Sequence, residues 1–259
     1  MSFSAIVFYR GSDGSGDGQT NRYLLVFPDR EAADTLYRGL HEYTTNSQSV
    51  IREIDRLSPQ MWTYQATTGE DFQNLIRAVH KGDPAVVGAN DHLKHSRGRN
   101  TILHVWNDDS GYVWTLPHPL LHGTKDHIHG DTFCIRNVRD RSEFWWDNGA
   151  EIHVSREKRS VFKIEIDRHP ELRGPIVIVG DDRVKLSVFR DGLTFPVTLN
   201  GDGRLYTLHT RGHRLVFPFN ALKTSFELSN YATGEKHAAL PIYNEEDEEM
   251  RPGEVWELC

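Results

Sequence analysis

The chain has 259 residues, of which 37% are hydrophobic and 26% charged, and its formal net charge is -7 at pH 7. This length allows one large or two ordinary domains, each with its own core. The acidic balance argues against a general nucleic-acid binder, because such proteins neutralise phosphates with clustered Lys and Arg. No apolar run approaches the roughly 20 residues that a membrane helix needs, so we expect neither nucleic acid nor a membrane as partner.

The N-terminus predicts a strand and a loop rather than a targeting signal. Residues 1–9 lack a basic region, and a polar glycine-rich stretch follows at 11–18. These glycines join two strands, whereas a phosphate-binding loop would lead into a helix. We therefore expect a cytoplasmic protein without a nucleotide or other cofactor.

Two amphipathic helices are predicted in the first hundred residues. Apolar residues recur at helical spacing over 29–43, and again over 72–79 after the capping pattern Thr68-x-x-Asp71. Strand patterns surround the helices, and they fall at 1–9, 23–27, 49–54, 61–66 and 101–106. The resulting order favours an α+β sandwich with helices on one face of a mainly antiparallel sheet, and a ferredoxin-like arrangement is the nearest common solution.

An aromatic hairpin is predicted at the end of this first domain. The alternating segments 102–106 and 112–116 flank a turn rich in Asp and Gly. We assign the hairpin to the first domain, which predicts an α+β domain at 1–126 and a second domain at 127–259.

The second domain carries a weak threefold repeat. Each unit opens on an apolar strand and closes on an aromatic one at nearly constant spacing. The opening residues are Phe133, Val177 and Phe226, and the closing residues are Phe162, Tyr206 and Trp256. Helix signals are weak here and turn signals are frequent, so the repeat predicts an all-β domain with units at about 131–174, 175–222 and 223–259.

The first unit carries a family resemblance. The segment 132–138 (TFCIRNV), followed by Asn148-Gly149 and by 161–164 (VFKI), resembles the unit of ricin-B-type lectins and of related fungal β-trefoil protease inhibitors. The resemblance covers residues 131–259 and implies a β-trefoil fold. Those lectins close each unit with Gln-x-Trp, whereas this chain has no Gln at the three corresponding places.

The same resemblance implies a ligand site in the first unit. In the lectins an Asp and a nearby aromatic ring hold the sugar, and the comparable residues here are Trp145, Trp146, Asp147 and Asn148. Adjacent tryptophans on a strand point to opposite faces, so at least one faces outward or into a neighbouring domain. The implied function is non-enzymatic binding of a carbohydrate or of a protein partner. The alternative is that both tryptophans only pack.

Histidines concentrate at the junction of the two predicted domains. His118, His122, His127 and His129 lie within twelve positions. If 127–129 is a strand, His127 and His129 project from one face, a geometry that suits two ligands of a divalent transition metal. The rival hypothesis is therefore a metal-dependent enzyme with its site at the domain junction. The other interpretation is a polar connection rich in imidazole.

Two cysteines, Cys134 and Cys259, do not make a disulfide scaffold. Cys134 lies in an alternating strand pattern, and Cys259 ends the strand that closes the third unit. A bridge between these strands is the less favoured alternative, since we expect a reducing compartment.

Overall fold

The computed structural model divides the chain into two compact units, Met1–Asp126 with Glu171–Val177, and His127–Pro170 with Ile178–Cys259. The structure describes residues 2–11, 21–46, 49–88, 90–105, 125–168, 175–200, 203–207, 213–223, 226–230, 236–239 and 255–259. These residues form mostly strands with few helices. Within them, no helix combines the length and the apolar character that crossing a membrane requires. Residues 175–177 belong to the first unit, although the sequence placed them in the second.

The first unit is a five-stranded sheet with helices. Its elements are β1 (Phe3–Tyr9), β2 (Arg22–Phe27), α1 (Arg30–Asn46), β3 (Ile51–Ser58), β4 (Met61–Ala66), α2 (Asp71–Lys81), α3 (Pro84–Val87), α4 (Asp91–His95) and β5 (Thr101–Val105). The strand order in the sheet is β3-β4-β1-β2-β5. Only β1 and β4 pair in parallel, and the other neighbours are antiparallel. The two long helices and the five strands lie where the sequence predicts them, whereas α3 and α4 were missed.

The sheet differs from the ferredoxin-like arrangement that we expected. Elements β2 to β5 include the strand-helix-strand-strand-helix-strand order of such a unit, but β1 precedes them and lies at the centre of the sheet between β2 and β4. The composition of β1 explains this position. Ala5 and Val7 are fully buried on one face, and Ile6 and Phe8 are half-buried on the other, so both faces of the strand are apolar, as suits a central strand.

The two long helices bury one apolar stripe each. Helix α1 buries Leu36 and Leu40, and α2 buries Phe72 and Val79. Burying one such side chain contributes roughly 2 kcal/mol. The Asp71 carboxylate accepts the Thr68 N–H at 2.7 Å, but α2 begins at Asp71 with Glu70 as its N-cap, so this contact belongs to the turn before the helix and not to the predicted capping box. The predicted hairpin strand at 112–116 lies outside the described residues.

The described residues of the second unit form short strands and one 3-10 helix, Phe219–Lys223. The strands are β6 (Thr132–Phe133), β7 (Ile135–Asn137), β8 (Phe144–Asp147), β9 (Ile152–Ser155), β10 (Phe162–Ile166), β11 (Arg183–Arg190), β12 (Leu193–Pro196), β13 (Thr198–Leu199), β14 (Leu205–Tyr206), β15 (His213–Arg214), β16 (Val216–Pro218), β17 (Glu227–Asn230), β18 (Lys236–Ala239) and β19 (Trp256–Leu258). They form sheets in the orders β12-β11-β10-β6, with β16 also on β11, then β14-β13-β15, and β17-β18-β9-β8-β7-β19.

The second strand of this unit pairs with its last described strand. Strand β19 is antiparallel to β7, with Trp256 opposite Asn137. Beyond this ladder Cys134 and Cys259 exchange two backbone hydrogen bonds, at 2.9 and 3.0 Å. Both thiols are free, and burial raises the pKa of Cys259. The predicted approach of the two strands is therefore present without a disulfide.

The second predicted repeat needs correction at both ends. Residues 177–179, predicted to form the opening strand, are buried without alternation and lie outside the strands of the unit. The strand that pairs with β10 is β11, further along the chain. Tyr206 does not close the repeat, because β14 forms a hairpin with β13, whereas β16 pairs with β11. The aromatic residue that packs into the core here is Phe217 of β16, which is buried, whereas Tyr206 is only half-buried. Equal spacing of aromatic residues misled the sequence-based assignment.

Candidate functional site

The adjacent tryptophans of β8 point to opposite faces, as predicted. Trp145 has no exposed surface and contacts Phe162, Phe226 and Trp256 in edge-on ring pairs with centroids 5.1 to 5.9 Å apart. Trp146 is half-buried and faces outward. Trp145 is therefore a core residue that no ligand reaches in this structure, and Trp146 alone retains an accessible ring.

Asp147 uses both carboxylate oxygens inside the unit. Its Oδ1 accepts hydrogen bonds from Thr207 Oγ1 at 2.7 Å and from the Gly149 N–H at 3.1 Å. Its Oδ2 accepts from Arg190 Nη1 at 3.0 Å. The side chain is 1% exposed. The carboxylate thus fixes the turn after β8 to two other segments, which is a structural role.

Asn148 forms the turn between β8 and β9. Its Oδ1 accepts the N–H groups of Ala150 and Glu151, each at 2.9 Å, and its Nδ2 lies 2.6 Å from His153 Nε2. The next residue, Gly149, has a φ of 102°, which other residues rarely adopt. The Asp-Asn-Gly sequence is hence explained by turn geometry alone.

Around Trp146 lies a surface of rings and cations that we call the Trp146 surface. Its members are Phe144, Trp146, His153, Lys158 and Arg159. Lys158 Nζ lies 4.3 Å from the centroid of the Trp146 ring, and Arg159 Cζ lies 5.8 Å from that of Phe144. His153, directly opposite Trp146 on β9, has its ring centroid 5.8 Å away.

The chemistry of this surface is cation–π stacking beside an accessible aromatic edge. Lys158 and Arg159 are exposed, and each contact is worth about 0.5–1 kcal/mol at an exposed site. Trp and Arg side chains dominate the energetic centres of protein interfaces. Phe144, Lys158 and Arg159 were not among the residues predicted from the sequence. The alternation of β8 could have indicated Phe144, whereas the cations lie in an irregular segment with no pattern.

The two histidines of the proposed metal site that the structure describes do not lie in a strand. The ring of His127 packs edge-on against Phe133 and Phe219, with centroids 5.8 and 5.4 Å apart. His129 lies in a turn, and its Nδ1 accepts the Ile166 N–H at 2.9 Å. His118 and His122 lie outside the described residues. Within the part of the chain that is described, no group of three or more His, Cys, Asp or Glu is placed to hold a metal ion.

The first unit contains a buried charge cluster around Arg56. Arg56 Nη2 lies 2.6 Å from Asp34 Oδ1 and 2.7 Å from Asp126 Oδ1, and its side chain is 3% exposed. The guanidinium lies over the rings of Tyr37 and Trp62, at 5.2 and 5.9 Å. Burial lowers the pKa of Arg56, but the two carboxylates outweigh burial and raise it. The Arg56 and Asp34 side chains of this cluster are buried, and we assign the cluster a structural role.

Comparisons with known proteins assign no family to the chain. No family model matches it, and no curated protein matches it. Among solved structures, winged bean albumin 1 is similar over 51% of this chain and 91% of its own, with 13% identity and a TM-score of 0.38. The HCR/D protein, in the crystal structure of a tryptophan-to-alanine mutant, is similar over 51% of this chain and 41% of its own, with 10% identity and a TM-score of 0.36. TM-scores below 0.5 do not establish a shared fold.

Proposed function

We propose that this chain is a non-enzymatic binding protein, whose second unit is a β-trefoil that presents the Trp146 surface to a protein partner. The observation that carries the proposal is the outward, half-exposed ring of Trp146 with the Lys158 ammonium 4.3 Å from its centroid. The core on the opposite face of β8 is rigidly packed by Trp145. An aromatic anchor on such a scaffold loses little conformational entropy on binding.

Three features of the second unit support the trefoil part of the proposal. Its last described strand, β19, pairs with β7, the second strand of the unit. Strands β6, β10, β11 and β16 pair in succession. The hairpins β8–β9 and β13–β14 meet where Glu151 bridges to Tyr206. A trefoil requires successively paired strands that carry hairpins at one end, and these pairings supply part of that pattern.

A protein partner is favoured over a carbohydrate by the state of Asp147 and Trp146. A lectin-type site needs a carboxylate that accepts sugar hydroxyls, and both oxygens of Asp147 are already bonded to the protein. It also needs an open ring face, and Lys158 lies over one face of Trp146. A protein partner needs neither a free carboxylate nor an open ring face, because it contacts the ring and the neighbouring cations together.

A selection experiment tests the proposal. A phage-displayed random peptide library is selected on the full chain, and the enriched peptides are measured against Trp146→Ala and against Lys81→Ala, a control at an exposed position in the other unit. We expect peptide binding that weakens about 30-fold or more in Trp146→Ala, as for an interface hot spot, and remains unchanged in the control. A glycan array on the same proteins provides the contrary outcome. Glycan binding that Trp146→Ala abolishes, without any selected peptide, would replace the protein partner with a carbohydrate.

A further inference from the structure

We infer that the Trp146 surface continues across β10 and β11 to an exposed apolar pair, and that the combined surface binds an acidic peptide segment carrying apolar side chains. The inference rests on the proposed protein-binding function and names the chemistry of the partner. It adds Val161 and Phe189 to the site.

Val161 and Phe189 form an exposed cross-strand pair. Val161 immediately precedes β10, and its C=O accepts the Phe189 N–H of β11 at 3.3 Å. The register of β10 and β11, with Phe162 opposite Val188, places the two residues opposite each other. Phe162 and Val188 point into the core, so Val161 and Phe189 point outward, with 43% and 58% of their surfaces exposed. Two large apolar side chains side by side in water favour an apolar partner.

Ser160 joins this pair to the Trp146 surface. The Ser160 N–H donates to the Trp145 C=O at 3.0 Å, and the Asp147 N–H donates to Ser160 Oγ at 2.9 Å. The segment 158–161 therefore runs beside β8, with Lys158 over Trp146 at one end and Val161 at the other. Strand β8, this segment and β11 are thus linked by hydrogen bonds within one unit.

The charges of this surface select an acidic partner. Most neighbouring cations form an ion pair with a carboxylate of the same unit: Arg156 pairs with Asp140, Lys163 with Glu165, and Arg190 with Asp147. Lys158 and Arg159 form no ion pair with any described residue and lie over rings instead. Two cations that no described carboxylate pairs with, on a chain of net charge -7, attract a carboxylate-bearing segment and disfavour a basic one.

The test uses three synthetic peptides and fluorescence anisotropy. The probe is EELEEFEELE, and the controls replace every Glu with Lys or every apolar residue with Ser. We expect the full chain to bind the probe about tenfold more tightly than either control, as loss of one hot-spot contact or of charge pairing implies. Added salt weakens the binding, because exposed charges are screened.

Variants locate the binding. Phe189→Ser and the pair Lys158→Glu with Arg159→Glu are each expected to weaken probe binding about tenfold. Leu57→Ser is the matched control, because Leu57 is 65% exposed in the other unit. Thermal unfolding verifies that each variant is folded.

The outcomes separate this inference from the proposed function. Binding that is lost in Trp146→Ala but unchanged in Phe189→Ser overturns the extended surface and leaves the proposed function standing. Preference for the Lys peptide overturns the acidic partner in the same way. Absence of binding by every peptide, with binding to vesicles of phosphatidylcholine and phosphatidylserine that Phe189→Ser abolishes, overturns both in favour of a membrane.

Discussion

Asp147 and Arg190 form an ion pair, 3.0 Å between Oδ2 and Nη1, that ties the β8–β9 turn to the end of β11. The carboxylate is 1% exposed and the guanidinium 28% exposed. The pair therefore holds two segments of the unit together at the edge of the Trp146 surface. The lectin resemblance implies that Asp147 binds a ligand, whereas its hydrogen bonds within the unit indicate that it stabilises the fold.

We predict that Asp147→Ala lowers the free energy of unfolding by about 3 kcal/mol, because breaking a buried pair leaves an unpaired charge or donor. Arg190→Ala is expected to cost less, since Thr207 and Gly149 still bond Asp147. Urea unfolding of both single variants and the double variant checks this. A coupling energy near zero would show that the two side chains act independently, contrary to the contacts.

The two tryptophans of β8 should respond in opposite ways to substitution. Trp145→Ala removes a buried ring from three ring contacts, and we expect a loss of about 4 kcal/mol. Trp146→Ala removes a half-exposed ring, and we expect a loss below about 1 kcal/mol. Chemical denaturation followed by far-UV circular dichroism measures both. Equal losses would mean that Trp146 also belongs to the core.

The sequence predicted elements well where a short pattern determines the structure. The helices at α1 and α2 and the strand β4 follow from periodicity and turn residues, because burial on one face imposes that periodicity. The opposite faces of Trp145 and Trp146 follow from the pleat of a strand alone. Short elements such as α3 were missed, because Pro84 and the Asp83 cap resemble a loop signal.

The candidate site was predicted only in part, because its chemistry depends on contacts between distant segments. Nothing near Asp147 in the sequence indicates that Arg190 and Thr207 will occupy its oxygens. That Lys158 pairs with no carboxylate among the described residues is likewise visible only once the ion pairs around it are known. Sequence patterns locate a turn with aromatic and acidic residues, but the tertiary contacts decide which of them remains available to a ligand.

The Arg56 cluster should be a major contributor to the stability of the first unit. Arg56→Ala leaves the carboxylates of Asp34 and Asp126 without their closest cation, and we expect a loss of about 3–5 kcal/mol. Arg10→Ala is the matched control, since Arg10 pairs with the more exposed Glu53 and Asp55 and should cost below about 1 kcal/mol. Thermal and urea unfolding measure both. A loss in Arg56→Ala no larger than in the control would contradict the buried assignment.

Stability should depend on pH through His41. Burial, together with the Arg38 charge, lowers the pKa of His41 from 6.5. Below pH 6.5 the unfolded chain therefore binds a proton that the folded chain does not bind. Stability then decreases as pH falls from 6.5 towards the lowered value, and this contribution is fully present above 6.5. His41→Gln should flatten the dependence of the urea midpoint on pH in that window. An unchanged slope in His41→Gln would refute the assignment.

His127 and His129 should stabilise the fold rather than hold a metal. In His129→Ala the buried Ile166 N–H loses its acceptor, and we expect a cost of about 1–3 kcal/mol. Elemental analysis of untagged protein should find the same metal content in the wild type and in the His127→Ala/His129→Ala variant, because the contacts of His127 are with Phe133 and Phe219. Stoichiometric transition metal that disappears in the double variant would instead favour the metal-dependent enzyme, with His118 and His122 as the remaining candidate ligands.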